Sequence, residues 1–263
     1  MIDKRDVHTF VVCAYKESPF LEDCLRSLAA QTVQSSVLMA TSTPNGYLRD
    51  LAAKYGVDLF IRDGMPDIAD DWNYAVSCAK TPYVTIAHQD DVYESTYAEK
   101  MVNEFSSNSD GLLFFTDYGE IRDGEQHKRP ILASVKKCLL LPYALKRLRS
   151  SRFWKRAPLA LGNPICCPAV TYNVDRLPSP LFVKGFRSNL DWDAWERFSR
   201  LGGSFLYCPE IGMYHRVHAG SETSSCIVDD VRVKEDLAML ERFWPKPIAG
   251  WINRFYKKAQ SFN

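Results

Sequence analysis

Short apolar runs alternate with longer amphipathic segments through the first third of the chain. Four of these runs, VHTFVVCAY, SSVLMATS, VDLFIRD and YVTIA, have the length and composition of buried strands. The segments between them repeat apolar residues at helical spacing, as Leu21, Leu25 and Leu28 do in the first. The alternation predicts right-handed crossovers and an α/β fold, in which helices cover both faces of a mostly parallel central sheet.

Turn and capping signals divide the rest of the chain. Thr43 and Pro44 are typical of an N-cap and a first helical position, and the helix that they open is expected to end near Gly56. The pair Asp123-Gly124 predicts a hairpin turn between two strands. The segment that follows is predicted to be mainly helical. After it, an acidic helix, DWDAWERFSRLGG, precedes a strand pair that ends in MYHRVHAGSET.

The predicted elements group into one domain with a C-terminal helical elaboration. Residues 1–228 are expected to form the domain, with a nucleotide-sized α/β half over 1–120 and a second half over 121–228 that completes a substrate site. Residues 229–263 are expected to form a helical tail. No internal repeat or low-complexity linker indicates a further boundary.

Composition indicates an ordinary globular protein. Hydrophobic residues make up 46% of the chain and charged residues 25%, which suffices for a sizeable core and argues against disorder. The N-terminal MIDKRDVHTF has no apolar h-region, and the longest apolar runs are too short to span a bilayer. The eight cysteines form no CxxC pairs and are expected to be reduced and mostly buried. A cytoplasmic location is therefore predicted.

The net charge of +1 conceals an uneven distribution of charge. Between Gln126 and Val174 the chain has no Asp or Glu but ten Lys and Arg, which leaves the remainder near −9. Such segregation is typical of a surface that meets anions, such as lipid head groups or phosphates. The alternative is a solvated helix face whose counter-charges lie elsewhere in the fold.

A histidine and two adjacent aspartates follow the fourth predicted strand directly, in the segment HQDD that runs from His88 to Asp91. Ligands of open parallel sheets bind at the carboxyl ends of the strands, where the segment AYKE also follows the first strand. We expect the two loops to meet at one edge of the sheet. Asp90 and Asp91 would repel each other there, which indicates that a positive charge is expected beside them.

A divalent cation would remove that repulsion. Mg²⁺ or Mn²⁺ is often held by only one or two carboxylates, with waters and substrate phosphates completing the octahedron. Alternatively, Asp90 or Asp91 caps the helix that is predicted to begin near Ser95. The residues alone leave both alternatives open.

Several segments, in order from Thr9 to Thr223, resemble the family-2 glycosyltransferases of the GT-A fold, which transfer sugars from nucleotide diphosphate donors. They are VVCAYKE, SPFLEDCLRSLAAQT, DDWNYAVSCAKTPYVTIAHQDD, LDWDAWERFSRLGG and YHRVHAGSET. Three departures stand out. His88 replaces the first Asp of the acidic motif, Leu190 stands where Glu is usual, and ATSTPNG lacks the acid that contacts the nucleotide base in the family.

The resemblance implies a GT-A-like fold and a role for each matching residue. Asp91 is expected to ligate the metal directly, with Asp90 helping through the metal or the ribose and His88 orienting one of them. His218 and Arg216 are expected to reach the diphosphate as a further ligand or cation. The remaining donor-site residues are expected to be Ala14, Tyr15, Glu17, Ser42 and Asn73.

The acceptor hydroxyl needs a base, and the resemblance assigns that role to Asp191. A base opposite the departing diphosphate implies direct displacement with inversion at the anomeric carbon. The alternative is that Asp191 only caps the helix WDAWERF. Asp193 is expected to face elsewhere and is the weaker candidate. Tyr15 could be a buried core residue instead of a ring that stacks on the nucleobase. Cys166 and Cys167 are interpreted as packing residues.

The C-terminal segment RFWPKPIAGWINRFYKKAQSFN contains five basic residues and no acid. Ile248, Trp251, Ile252 and Phe255 recur at helical spacing, which predicts an amphipathic basic helix suited to an anionic membrane surface. Docking on the protein's own domain, or on a second copy, explains the same pattern. The oligomeric state is left open.

The leading hypothesis is a metal-dependent inverting glycosyltransferase with Mn²⁺ or Mg²⁺ as cofactor. Its donor is expected to be a nucleotide sugar, most simply a UDP-sugar, and its acceptor a glycan or lipid-linked saccharide in cell-surface polysaccharide synthesis. We expect it in the cytoplasm or at the inner face of the plasma membrane, with no nucleic-acid partner. Two rival hypotheses are a metal-dependent phosphoester or diphosphate hydrolase and a non-catalytic sugar-nucleotide binding protein.

Overall fold

The computed structural model describes residues 7–128, 133–218 and 231–260. The strands are β1 (His8–Cys13), β2 (Ser36–Thr41), β3 (Asp58–Ile61), β4 (Tyr83–His88), β5 (Val92–Tyr93), β6 (Gly111–Arg122), β7 (Glu125–His127), β8 (Val170–Asn173) and β9 (Ser204–Arg216). The helices are α1 (Leu21–Ala29), α2 (Gly46–Tyr55), α3 (Ile68–Cys78), α4 (Tyr97–Ser107), α5 (Ala133–Ala144), α6 (Arg152–Leu159), α7 (Leu190–Ser199), α8 (Val231–Leu240) and α9 (Lys246–Gln260).

One sheet joins both halves of the predicted domain, in the order β3-β2-β1-β4-β8-β6-β9-β5, with β7 paired to β6. The first four strands are parallel, as the alternating pattern predicts. Beyond them the sheet is mixed, because β8 runs antiparallel to both β4 and β6. The α/β fold is confirmed. The N-terminal crossovers form its run of four parallel strands, and β6 pairs in parallel with β9 in the second half.

The expectation of a strand pair before MYHRVHAGSET is wrong, because β9 is one strand of 13 residues. Its pairing with β6 shifts register between Cys208 and Ile211, which leaves Pro209 and Glu210 outside the ladder. A bulge accommodates a proline that has no N–H to donate, without ending the strand. At Gly212 a Cβ atom would lie 2.4 Å from Thr116 Oγ1, so β6 and β9 approach closely there.

Successive residues of the central strands pack on opposite faces of the sheet, as strand geometry requires. Phe114 lies in a core cluster with Leu25 of α1 and Met101 of α4. Its neighbour Phe115 lies in the opposite cluster, which contains Trp195 of α7. The prediction that helices cover both faces is confirmed.

The N-cap predicted at Thr43 is wrong. Asn45 caps α2 instead, and its side-chain oxygen accepts the N–H of Leu48 at 2.9 Å. Thr43 Oγ1 accepts the N–H of Lys16 at 2.6 Å and so supports the loop after β1. The predicted end of α2 is confirmed at Gly56, which adopts the left-handed conformation with φ of 63°.

The described cations of the acid-free stretch include two groups. Arg149 is buried and donates to Glu104 and to the carbonyls of Tyr143 and Tyr207, each at 2.8 Å. Lys155 is buried on the carbonyls that follow α7, and Arg156 pairs with Glu196. These three are structural cations, whereas others in the stretch are exposed: Lys128, Lys146, Arg147 and Arg152.

The two C-terminal helices dock on the protein's own core. Leu240 of α8 and Ala249 of α9 belong to the same cluster as α7, and Trp244 Nε1 between them donates to the carbonyl of Ala160 at 2.7 Å. On another face of α9, Ile248 is 44% exposed and Trp251 is 61% exposed. The boundary at residues 228 and 229 stays a prediction. Among the described residues, none of the helices is both long enough and apolar enough to cross a membrane.

Candidate active site

The acidic segment lies where two parts of the sheet meet. His88 is the last residue of β4 and pairs in register with Cys13 at the end of β1. Two residues after Asp90 begins β5, which pairs antiparallel with β9 through Val92 and Tyr214. The turn that carries Asp90 and Asp91 is therefore held between the end of β4 and the end of β9.

Asp91 is fully buried, and its two oxygens differ in their surroundings. Oδ1 accepts the backbone N–H of Arg216 at 2.9 Å and lies 3.0 Å from Nδ1 of His215. Oδ2 has no hydrogen-bond partner among the described residues, and His88 Nδ1 lies 3.9 Å away. One oxygen thus fixes the carboxylate, and the other remains for a ligand, because an unpartnered buried oxygen is otherwise costly.

Asp90 is held in its charged form by histidines. Its Oδ2 lies 2.9 Å from His218 Nε2. Burial would raise the pKa of Asp90, but His88 and the hydrogen bond from His218 outweigh burial and hold this pKa below its usual value. Asp90 is therefore ionised at neutral pH.

The two histidines beside Asp91 respond differently to it. Burial lowers the pKa of His88, whose ring stacks on Trp72 with centroids 5.3 Å apart, and the charges of Asp91 and Asp90 oppose that effect. Burial would also lower the pKa of His215, but the charge and hydrogen bond of Asp91 outweigh it and raise that pKa. His215 was not among the residues predicted to bind the donor, although its neighbours Arg216 and His218 were.

His88, Asp90 and Asp91 fit a single divalent cation. One potential ligand atom from each lies within 4.8 Å of the others. Two ligands about 2.1 Å from an octahedral ion are at most about 4.2 Å apart, so small side-chain movements would complete the geometry. The two carboxylates suit Mn²⁺ or Mg²⁺. Because His218 contacts Asp90, its direct ligation of the metal stays a prediction.

Arg216 fastens the acidic turn to its surroundings. Its backbone N–H binds Asp91, and its Nε donates to the carbonyl of Asp90 at 2.9 Å. Its Nη2 lies 3.3 Å from Asp23 Oδ2 on α1, and its guanidinium lies 4.4 Å from the ring centre of Phe20. The structure thus gives Arg216 a positioning role, and its predicted contact with the diphosphate stays a prediction.

The loop after β1 is held in place by Gln89. The Tyr15 N–H donates to Gln89 Oε1 at 2.9 Å, and Gln89 Nε2 donates to the Tyr15 carbonyl at 3.2 Å. The next residue, Lys16, has a φ of 55°, which is uncommon for a residue other than glycine. Tyr15 is 45% exposed, so the alternative of a core tyrosine is wrong and the ring is available for stacking.

The other residues predicted in this loop lie on either side of Tyr15. Ala14 is buried and continues the sheet ladder, since its N–H donates to the carbonyl of Ala40 at 2.9 Å. Glu17 is exposed. Both lie at the sheet edge where the donor is expected, and their contacts with it stay predictions.

The acid that the sequence lacks after β2 is supplied in space by α3. Ser42 Oγ donates to Asp71 Oδ2 at 2.9 Å, and Arg62 Nε donates to Asp71 Oδ1 at 2.6 Å. Asp71 therefore lies beside the end of β2 although it comes 29 positions later in the chain. The acidic first turn of α3 was the available signal for it.

Asn73 anchors a loop of the second half. Its Nδ2 donates to the carbonyl of Phe182 at 2.8 Å, and its Oδ1 accepts the N–H of Phe182 at 3.0 Å. The structure assigns this amide to loop anchoring, and a contact with the donor stays a prediction.

Asp191 lies in the first turn of α7 but is not its N-cap, which is Asn189. Asp191 Oδ2 accepts from Asn163 Nδ2 at 2.7 Å, and Oδ1 accepts the N–H of Trp192 at 2.7 Å. Burial raises the pKa of Asp191 to about 6, although both hydrogen bonds favour the charged form. A carboxyl group with such a pKa is suited to exchange protons near neutral pH.

Asp193 serves the fold. Its two oxygens accept from Arg197 at 2.8 Å and from Arg242 at 2.5 Å. These two cations occupy its carboxylate, and the expectation that Asp193 faces away from Asp191 stays a prediction.

Buried cysteines connect Asp191 with the sheet edge. Burial raises the pKa of the Cys167 thiol well above its usual value, and the charges of Asp191 and of Cys13 add to that effect. Cys167 and Leu190, which directly precedes Asp191, belong to the core cluster against which Cys13 at the end of β1 packs. The protonated, buried state of Cys167 agrees with a packing role.

A sequence model described as glycosyl transferase family 2 matches residues 9–169, which is more than half of the chain. No curated protein matches the chain in sequence.

Solved structures match the fold at low identity. S. aureus TarS 1–349 in complex with UDP-GlcNAc shares 13% identity at a TM-score of 0.63, over 94% of this chain and 70% of that chain. The mannosyltransferase PcManGT of Pyrobaculum calidifontis, in complex with GDP-Man and Mn²⁺, shares 13% identity at a TM-score of 0.62. The match covers 92% of this chain and 68% of that chain. Glucosyl-3-phosphoglycerate synthase of Mycobacterium tuberculosis, in complex with Mg²⁺ and UDP, shares 13% identity at a TM-score of 0.54. The match covers 87% of this chain and 78% of that chain. These glycosyltransferases show that the fold is GT-A.

Mn²⁺ is expected to raise the melting temperature of the protein by several degrees in a concentration-dependent way, because a ligand that binds only the folded state stabilises it. Asp91→Asn should abolish the shift, since it removes the charge of the carboxylate whose Oδ2 is unpartnered. Asp50→Asn, an exposed acid on α2, is the control and should keep the shift. Equal shifts in all three proteins, measured by differential scanning fluorimetry, would contradict the metal site.

Proposed function

The chain belongs to glycosyl transferase family 2, and from this we propose that it transfers a sugar from UDP to a hydroxyl group of a glycan or lipid-linked saccharide, with metal assistance and inversion. The observation that carries the proposal is the carboxylate of Asp91. One oxygen is fixed by β9, and the other is buried without a partner among the described residues. The rival hydrolase and the non-catalytic binding protein do not agree with membership of a glycosyltransferase family.

Asp90, Asp91 and His88 would hold Mn²⁺ or Mg²⁺, the ions bound by PcManGT and by the mycobacterial synthase. When bound, the ion stabilises the negative charge that develops on the diphosphate as the sugar leaves. The protein's own contribution is to fix the carboxylates before the donor arrives. Arg216 and His215 do this for Asp91, and His218 does it for Asp90.

Asp191 is proposed to act as the base. It accepts the proton of the acceptor hydroxyl while that oxygen forms a bond to the anomeric carbon. The bond from the anomeric carbon to the diphosphate oxygen breaks, and its electron pair leaves with UDP. Attack opposite the leaving group inverts the anomeric carbon. The hydrogen bond from Asn163 orients the carboxylate for this step.

A uridine nucleotide is supported by the edge that runs from β4 through β1 to β2. Diphosphate oxygens at Asp90 and Asp91 would place the nucleoside over the end of β1, where the exposed ring of Tyr15 can stack on the base. Ser42 and Asp71 lie one strand further on. Their oxygens can accept an N–H of uracil. TarS and the mycobacterial synthase have been crystallised with uridine nucleotides.

Asp91→Asn and Asp191→Asn should separate donor binding from transfer. Asp91→Asn is expected to lose Mn²⁺-dependent UDP binding in calorimetry. Asp191→Asn should keep that binding and lose transfer by about 10²- to 10⁴-fold, the usual contribution of a general base. If Asp191→Asn remains fully active, the base is assigned wrongly. Release of free sugar at full rate without acceptor would instead indicate a hydrolase.

Transfer should depend on pH through the base. Because burial raises the pKa of Asp191 to about 6, this carboxyl group is protonated below that pH and cannot accept a proton. The rate of transfer at saturating donor is therefore expected to fall about tenfold per pH unit below pH 6 and to level off above it. The low-pH limb should be missing from the residual activity of Asp191→Asn. A flat wild-type profile between pH 5 and 7 would contradict the prediction.

Membrane contact through the open face of α9 is proposed as a second feature of the function. Ile248 and Trp251 lie one turn apart and are exposed, and they are flanked by exposed Lys246 and Arg254. An apolar stripe between cations fits the interface of an anionic bilayer. Such contact would place the enzyme beside a lipid-linked acceptor at the inner face of the plasma membrane.

Sedimentation with anionic phosphatidylglycerol vesicles tests this contact. The double variant Ile248→Ser and Trp251→Ser should bind at least about tenfold more weakly than the wild type, because burying one large apolar side chain contributes about 1.5–3 kcal/mol. Met65→Ser, which changes an exposed methionine between β3 and α3, is the control. The proposed surface would be contradicted if the double variant bound anionic vesicles as tightly as the wild type does. It would also be contradicted if the wild type bound neutral vesicles as tightly as anionic ones.

A further inference from the structure

The segment that leads into α7 is tied to a helix that lies far away in sequence. The backbone N–H groups of Arg187, Ser188 and Asn189 all donate to the carboxylate of Glu235 on α8, at 2.7, 2.7 and 3.0 Å. Three consecutive amides therefore converge on one side chain. Asp191, the proposed base, follows Asn189 by two residues.

A carboxylate is the side chain best suited to this position. Consecutive backbone N–H groups that are not paired in a helix or sheet need acceptors when they are partly buried. Hydrogen bonds to an ionised acceptor are shorter and stronger than bonds between neutral groups. The negative charge of Glu235 also lies at the amino end of α7, where the helix dipole favours an anion.

The neighbouring acid on α8 strengthens the connection. Asp236 Oδ1 accepts from Asn189 Nδ2 at 2.8 Å, and both residues are almost fully buried. Asn189 itself makes no side-chain hydrogen bond to cap its own helix. Two successive acids of α8 thus hold the segment that leads into α7, Glu235 through the backbone and Asp236 through the Asn189 side chain.

The same helix carries a cation that acts on the base. Arg232 lies one turn before Glu235, and its charge favours the ionised form of Asp191. Cys167 and Tyr172 are the other titratable groups whose pKa is affected by Asp191, and burial raises the pKa of both thiol and phenol. α8 therefore holds the backbone before Asp191 and also carries a cation whose charge acts on that carboxyl group.

We propose that Glu235 is a positioning residue, which fixes the start of α7 and thereby holds the carboxylate of Asp191 in the place required for proton transfer. The proposal rests on the proposed role of Asp191 as base. Because Asp191 is in the first turn of α7, its carboxylate moves with the backbone that Glu235 holds. An error of about 1 Å in the position of a reacting group can reduce a rate by about 10²-fold.

Groups other than Glu235 also anchor α8 and the segment after it. Met239 and Leu240, at the other end of α8, are fully buried in the core, and Arg242 beyond them pairs with Asp193. Glu235→Gln keeps the size of the side chain and removes its charge. The matched control is Glu241→Gln, which changes an exposed acid just after α8. Both variants are expected to fold, with near wild-type far-UV circular dichroism.

Hydrogen–deuterium exchange and kinetics together test the proposal on the full chain. In Glu235→Gln the amides of residues 187–189 should exchange faster, while those of α3 do not change. The kcat for sugar transfer should fall by about 10- to 100-fold, with the Kd for UDP and Mn²⁺ unchanged. Glu235→Asp, which keeps the charge on a shorter side chain, should be intermediate. Glu241→Gln should match the wild type in every measurement.

Two results would overturn the proposal. Unchanged exchange at residues 187–189 would show that Glu235 does not hold this segment. Faster exchange with an unchanged kcat would show that the segment does not position the base. Failure of the proposed function looks different, because Asp191→Asn would then be as active as the wild type whatever the exchange result at residues 187–189.

Discussion

The structure depends most on the pairing of β9 with the acidic turn after β4. The backbone N–H of Arg216 and the ring of His215 both bind Oδ1 of Asp91, which is otherwise fully buried. Without them, a buried carboxylate would lack the hydrogen bonds that offset its desolvation. The pairing of β5 with β9 brings these groups to Asp91, although they lie at least 124 residues further along the chain. The acid-rich site is therefore possible only when the two halves of the chain form one sheet.

Burial and charge act in opposite directions at the two carboxyl groups that matter for chemistry. At Asp90, His88 and His218 outweigh burial, so the group remains ionised and can attract a cation. At Asp191, burial outweighs Asn163 and Arg232, so the pKa rises to about 6 and the group can bind and release a proton. The chain thus contains an ionised carboxylate at Asp90 and, at Asp191, a carboxyl group that titrates near neutral pH, because their surroundings differ. This separation of roles agrees with metal-assisted transfer of a sugar.

The sequence predicted those parts of the site that lie in contiguous segments. The HQDD segment could be recognised because two acids directly follow an apolar strand, and the parallel strand order followed from regular alternation. Gln89, Asp71 and Glu235 could not be recognised in this way, because each acts on a segment far along the chain: Gln89 on Tyr15, Asp71 on Ser42, and Glu235 on residues 187–189. The one-strand form of β9 was missed for a similar reason, because only its pairing with β6 shows that Pro209 is bulged out.

The central claim is that Oδ2 of Asp91 is a metal ligand in a sugar-nucleotide site. A crystal structure with UDP and Mn²⁺, with data collected at the manganese absorption edge, tests it most directly. We predict one anomalous peak about 2.1 Å from Asp91 Oδ2, in contact with the diphosphate and with Asp90 or His88. A peak remote from this turn, or UDP bound while both oxygens of Asp91 remain bonded only to the protein, would contradict the account.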